Sequence, residues 1–337
     1  MIFKNVEIFN IREMVKNEEG DGYILKRFPS YCEADMLEQG INMNRSSIGV
    51  EFRFKFKGEV SFKLKSKNPE GARACLYLGD VQAMWQQSLF TIGNEIREIV
   101  VKEYEEINDC VKQINDMKNA RFSDKLYRLV FDYNDFEFID VCGDFLPIDA
   151  LDCPSKKYLS YGSSISSCSL TYISQISYNY MLAKQLGYDF INVGFSGSCR
   201  MEKEIVDYIC DHERFDLATM ELGINVIDSF DAEQFRERVH YLLTSIGALD
   251  FYERIYVIDI FPYFNEMCGV SKEKLELFRQ VVKEETLALN NPKIKHLRGD
   301  SLLSDRSKLC ADLVHPDIDG HFEIYSNLLK VINEDQL

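Results

Sequence analysis

The periodicity of apolar residues changes once along this chain, and that change limits what it can fold into. Up to about residue 146 the chain reads as β structure, with recurrent alternation. Val50-Glu-Phe-Arg-Phe-Lys-Phe-Lys57 and Val60-Ser-Phe-Lys-Leu-Lys65 each set an apolar face against a polar one, as strands with one wet side do. Further short strands are expected at 73–78, 98–102, 126–131 and 136–142. Several short strands separated by turn-rich stretches specify a small antiparallel β-sandwich, jelly-roll-like in kind.

The stretch Leu146-Pro-Ile-Asp-Ala-Leu-Asp-Cys-Pro-Ser155 carries two prolines and acidic turn residues, which makes it a linker. It sets a boundary near 150, giving domains 1–150 and 151–337. A length of 337 residues suits two domains. Beyond the boundary, apolar strands at 157–161, 190–193, 217–222, 255–261 and 294–297 alternate with helical periodicity. One helix ends near Leu186, a second runs around 202–212, and a third carries Phe235, Val239, Leu242, Leu243 and Ile246 on one stripe. A fourth lies around 274–289 and a fifth follows Pro316. Such alternation specifies a parallel sheet with helices on both faces, and ligands sit at the carboxyl ends of its strands.

Composition narrows the function. The chain is 28% charged and 46% hydrophobic with a net charge of −16, so it is globular, and phosphate backbones and anionic lipid are poor partners. No nucleic acid and no membrane partner is expected. The longest apolar runs are broken by charge and fall short of the about 20 residues that a span needs. The N-terminus mixes acid and base without an apolar export segment, which points to the cytoplasm. The ten cysteines never form a Cys-x-x-Cys pair, which argues against a zinc ribbon or disulfide framework and for free thiols in a reducing compartment.

Four clusters fall where strand candidates end. Gly162-Ser-Ser-Ile-Ser166 lets the backbone turn sharply so that a serine hydroxyl stands at the mouth of a helix, either as a nucleophile or as a helix cap. Asn192-Val-Gly-Phe-Ser-Gly-Ser198 offers Gly197 as an oxyanion donor, a phosphate-cradling N–H or a plain turn. Glu221-Leu-Gly-Ile-Asn225 ends in an amide that can donate to developing negative charge or close an Asx-turn. Finally, Asp312-Leu-Val-His315 sets an acid three residues before a histidine, a spacing that lets the carboxylate fix the imidazole tautomer. Asp312, His315, Asp317, Asp319 and His321 could also gather a divalent ion. They match neither an EF-hand nor His-Glu-x-x-His, so no metal and no cofactor is expected. Asp317 or Asp319 would then cap the last helix. Together the clusters supply a nucleophile, two oxyanion donors and an oriented base, a complete acyl-transfer set.

In this order the four motifs resemble the SGNH (GDSL-type) esterase and lipase superfamily, over residues from about 155 to the end. The resemblance implies a flavodoxin-like three-layer α/β/α domain. It implies Ser164 as nucleophile, the N–H groups of Ser164 and Gly197 with the Asn225 amide as oxyanion hole, His315 as base and Asp312 as its orienting acid. Gly194-Phe-Ser-Gly-Ser-Cys-Arg-Met-Glu202 is similar to a bacterial subgroup in which a β-sandwich precedes the hydrolase domain, a pairing also found in sugar-directed deacetylases. Two positions depart from the pattern: Ser163 stands where the family usually has Asp, and Val226 follows Asn225 where many members have Asp.

The expected substrate is therefore a small-molecule or carbohydrate ester, with O-acetyl on a sugar favoured by analogy. Trp85, Tyr77 and Phe90 could stack on a sugar ring, although aromatics in a strand-rich domain usually pack the core. Two rival readings stand beside it: a carbohydrate-binding or scaffold protein weakened by Ser163 and Val226, and a phosphate-binding protein using the Gly194–Ser198 loop. Homo-oligomerisation through an exposed sandwich face is left open.

Overall fold

The computed structural model describes residues 1–83, 89–103, 108–118, 120–169, 171, 173–268 and 272–335. The chain divides into two compact units. The first comprises Met1–Ser30, Asn44–Lys156 and Gly187–Asp189; the second comprises Tyr31–Met43, Lys157–Leu186 and Phe190–Leu337. Residues 31–43, which a single boundary near 150 assigns to the first domain, thus group with the second.

Among the described residues the first unit is an 11-stranded antiparallel sheet organised around one strand, Glu51–Lys65. The two alternating runs expected there as separate strands are one 15-residue strand, carried through Gly58 at a φ of +72°. Its first half pairs with Tyr127–Phe131 and Val6–Phe9. Its second half pairs with Glu137–Leu146 and Arg97–Lys102. A strand that changes partners midway folds the sheet over a shared core of Phe52, Phe54, Phe62, Phe131, Phe136, Phe138 and Phe145. Phe52 meets Phe131 at 4.7 Å between ring centroids, edge to face, and each such buried ring contributes about 1.5–3 kcal/mol through burial alone. Tyr77 and Phe90 belong to the buried set, and Trp85 lies outside the described residues.

The polar face of that strand is not wet at its N-terminal end, although Lys57 and Lys63 further along are exposed. Glu51, Arg53 and Arg128 are all buried. Glu51 accepts from Arg53 Nε at 2.8 Å and from Arg128 Nη2 at 2.6 Å, while Asp80 takes the Arg121 guanidinium at 2.9 Å. Phe122 lies 3.7 Å from the Arg128 guanidinium and Phe9 lies 3.6 Å from that of Arg53. Alternating charge suggests a solvent-facing side, but opposite charges that pair and lie against aromatic faces can be buried instead.

The second unit holds a five-stranded sheet in the order Asp189–Asn192, Lys157–Tyr161, Leu217–Glu221, Arg254–Ile258, Ile294–Leu297. In chain order this is 2-1-3-4-5, the flavodoxin-like arrangement. The parallel pairings run in register from Tyr158 against Leu217 through Ile258 against Leu297. Every residue of Leu217–Glu221 is buried, as sheets covered on both faces require. The helices Ala232–Gly247 and Lys272–Ala288 stack Phe235 on Phe278 at 4.2 Å, and the first of them opens on a capping box between Asp231 and Gln234. The last helix, Ile318–Asp335, packs against Tyr178–Leu186. Among the described residues, no helix is long and apolar enough to cross a membrane.

Candidate active site

The strand Lys157–Tyr161 runs out into Gly162 and a tight loop. The sequence suggests a helix opening there, whereas residues 163–168 form hydrogen-bonded turns and the next described α-helix begins at Tyr178. Ser167 donates both its N–H and its hydroxyl to the Ser163 carbonyl, each at 2.9 Å. These two bonds fix the backbone beneath Ser164.

Ser164 is buried, with 6% of its surface exposed. Its Oγ lies 2.7 Å from His315 Nε2, and His315 Nδ1 lies 2.8 Å from Asp312 Oδ2. The other carboxylate oxygen of Asp312 accepts the N–H groups of Val314 and His315, at 2.9 and 3.0 Å. Partial burial raises the Asp312 carboxyl, but these backbone donors and the imidazole outweigh it and hold it below its ordinary range. An ionised Asp312 keeps the Nδ1 proton in place, leaving Nε2 to accept from the serine. The Ser164, His315 and Asp312 side chains expected to act together are therefore in contact.

The two expected oxyanion residues lie on linked loops. Gly197 takes a φ of +67°, a left-handed conformation that glycine adopts without strain. Asn225 is not closing an Asx-turn: its Oδ1 accepts the Cys199 N–H at 3.0 Å, which fixes the amide plane and leaves Nδ2 as its donor face. The 194–198 loop abuts the serine loop through Phe195 N–H to the Gly162 carbonyl, 2.8 Å, and Ser169 to Ser196, 3.2 Å between hydroxyls.

The remaining acids and histidine near the C-terminus do not converge. Asp317 caps the last helix through the Gly320 N–H at 2.8 Å. His321 is buried, accepts the Tyr178 N–H at Nδ1 and stacks on the Tyr178 ring. Burial, and secondarily the nearby His315, push its pKa down to about 4. Among the described residues, no group of three or more His, Cys, Asp or Glu is arranged to hold a metal ion.

Two neighbours of the site escaped the sequence reading. Gln39 donates from Nε2 to the Ser196 carbonyl at 3.1 Å, and its Cγ lies 3.6 Å from where a Cβ on Gly197 would stand. No sequence signal ties residue 39 to that loop. Glu221 is fully buried; its Oε2 accepts from the Ser163 N–H at 2.7 Å, the Ser163 hydroxyl at 2.6 Å and the Ser166 hydroxyl at 3.3 Å. An acid ending an otherwise apolar strand was the available clue.

A flavodoxin-like α/β domain in which a serine, a histidine and an aspartate are joined by hydrogen bonds holds the parts that a carboxylic ester hydrolase needs. Residues 155–318 match the model of the GDSL-like lipase/acylhydrolase family. No curated protein matches the chain in sequence. Among solved structures, it is similar to a salicylyl-acyltransferase from a tetracycline biosynthetic pathway, at 13% identity with a TM-score of 0.77, covering 98% of this chain and 94% of that one. It is similar to a family two carbohydrate esterase from Clostridium thermocellum in complex with cellohexaose, at 14% identity and a TM-score of 0.58, covering 86% and 93%. An acetyl xylan esterase from Butyrivibrio proteoclasticus matches at 11% identity and a TM-score of 0.54, covering 87% and 92%. At these identities the likeness establishes the shared fold.

Proposed function

We propose that this protein hydrolyses short-chain acyl esters through a serine acyl-enzyme, with O-acetyl groups on carbohydrates as its substrate class. The observation that carries the reading is the continuous run of hydrogen bonds from Asp312 through His315 to Ser164. In the first step His315 Nε2 takes the Ser164 proton as Oγ attacks the acyl carbonyl, and the N–H groups of Ser164 and Gly197 with the Asn225 amide stabilise the oxyanion. His315 then gives the proton to the departing alkoxide. In the second step water attacks the acyl-serine, again losing its proton to His315, and the carboxylic acid leaves with Ser164 restored. Asp312 stays ionised throughout and stabilises the imidazolium.

The acyl and sugar preference rests on similarity to the carbohydrate esterases and is the finer part of the proposal. The test has two stages. A fluorophosphonate probe followed by intact mass should give a single adduct on the parent and none on Ser164→Ala. A folded parent that takes no adduct would sink the serine mechanism. Acetate release should then be measured on p-nitrophenyl acetate and on acetylated xylo- and cello-oligosaccharides. Turnover of the aryl ester with none of the sugars would remove the carbohydrate assignment and leave the esterase.

A further inference from the structure

The chemistry above uses Ser164, His315 and Asp312, yet another carboxyl lies immediately beneath the nucleophile loop and has no part in it. Glu221 ends the strand Leu217–Glu221 with none of its surface exposed. Its Oε2 gathers three donors from the residues flanking Ser164: the Ser163 N–H and hydroxyl on one side, and the Ser166 hydroxyl on the other. Ser166 continues the run to the Tyr178 hydroxyl at 2.9 Å. The approach requires a glycine at 162, because a Cβ there would stand 2.7 Å from Oε2 and 2.9 Å from the Glu221 Cβ.

Burying a carboxyl is expensive unless donors meet it. Here one oxygen is richly served, whereas Oε1 is buried with no hydrogen-bond partner. Among the described residues no arginine or lysine forms an ion pair with it. Its donors all belong to Ser163 and Ser166, on the loop that sets the position of Ser164 Oγ.

We propose that Glu221 is a positioning residue for the nucleophile: its carboxyl clamps Ser163 and Ser166 and so holds the intervening Ser164 in line with His315. The inference rests on Ser164 being the nucleophile. Burial raises the Glu221 carboxyl above its ordinary range against the pull of its donors and of His315, which agrees with a clamp made of hydrogen bonds and not of an ion pair.

The test compares Glu221→Ala, Glu221→Gln, Ser163→Ala and Ser164→Ala for kcat and KM on p-nitrophenyl acetate, with thermal melts to establish the folded fraction. Glu221→Ala should lose about 10²-fold in kcat with KM little changed, the scale of a nucleophile displaced by ångström distances. Glu221→Gln keeps an oxygen for the Ser163 and Ser166 donors and should restore most of that loss. Ser163→Ala keeps Glu221 and removes one donor, so it should fold and lose roughly tenfold in kcat. Parent-like kcat in folded Glu221→Ala, a Gln variant no better than Ala, or parent-like kcat in Ser163→Ala if both Glu221 variants fail to fold would each overturn the clamp. Ser164→Ala separates the two readings, because turnover there condemns the nucleophile assignment itself.

Discussion

Removing the Asn225 amide tests the oxyanion assignment without touching the bonds among Ser164, His315 and Asp312. Asn225→Ala should fall about 10²–10³-fold in kcat, the usual worth of one oxyanion donor, and still label with a fluorophosphonate. His321 offers a separate readout through stability. Its pKa is near 4 in the fold and near 6.5 in an unfolded chain, so the folded state binds the proton less readily. That contribution is complete above pH about 6.5 and is lost as pH falls toward 4. Denaturant midpoints taken between pH 7 and 4.5 should drop for the parent and drop less for His321→Phe. At this scale the sequence was most informative where chemistry imposes spacing: Asp312 and His315 are close enough along the chain to declare their contact. Glu221 and Gln39 were not legible, because each acts on a loop remote in sequence and neither spacing nor periodicity records such a meeting.

At the scale of single elements, the strand Glu51–Lys65 shows the limit of reading alternation. Phe52, Phe54 and Phe62 point into the core as expected, but Glu51 and Arg53 on the opposite face are buried as well. A period of two reports that the faces differ and says nothing of what covers the polar one. The arrangement also makes a prediction. Burial raises the Glu51 carboxyl, yet Arg128 and Arg53 overcome this and bring it down to about 2. Its contribution is therefore present above the unfolded carboxyl value and fades as pH drops from about 4.5 toward 2. Glu51→Ala would leave two buried guanidinium groups without their shared partner, a loss of about 3–5 kcal/mol, measurable as a lowered urea midpoint. A midpoint equal to the parent's would show that the cluster contributes nothing to stability. The central parallel strands are easier to read, because a strand buried on both faces is mostly apolar.

At the scale of the molecule, the change of periodicity near 150 located the switch from antiparallel to parallel structure but not the full membership of the second unit. Tyr31–Met43 joins that unit through Cys32 against the Glu204 carbonyl and Gln39 against Ser196. A chain cut to residues 151–337 lacks those contacts, so it should melt at a lower temperature and turn over p-nitrophenyl acetate more slowly than the full chain. Equal kcat and an unchanged melting transition would show residues 31–43 to be dispensable.

The excursion of residues 31–43 is closed where it leaves the first unit. Arg27 donates its N–H to the Asn44 carbonyl at 2.9 Å, Phe28 donates to Asn44 Oδ1 at 2.7 Å, and the Asn44 amide returns a bond to the Phe28 carbonyl at 3.0 Å. During synthesis these residues emerge long before the serine and histidine loops exist. Once the first unit has formed, its bonds to Asn44 have already gathered the two ends of the segment, so most of its closure entropy is lost before its partners are made. The late-made unit then receives a short tethered loop in place of a free strand of chain, and an Asn44→Ala substitution would slow refolding of the second unit without altering any residue in it.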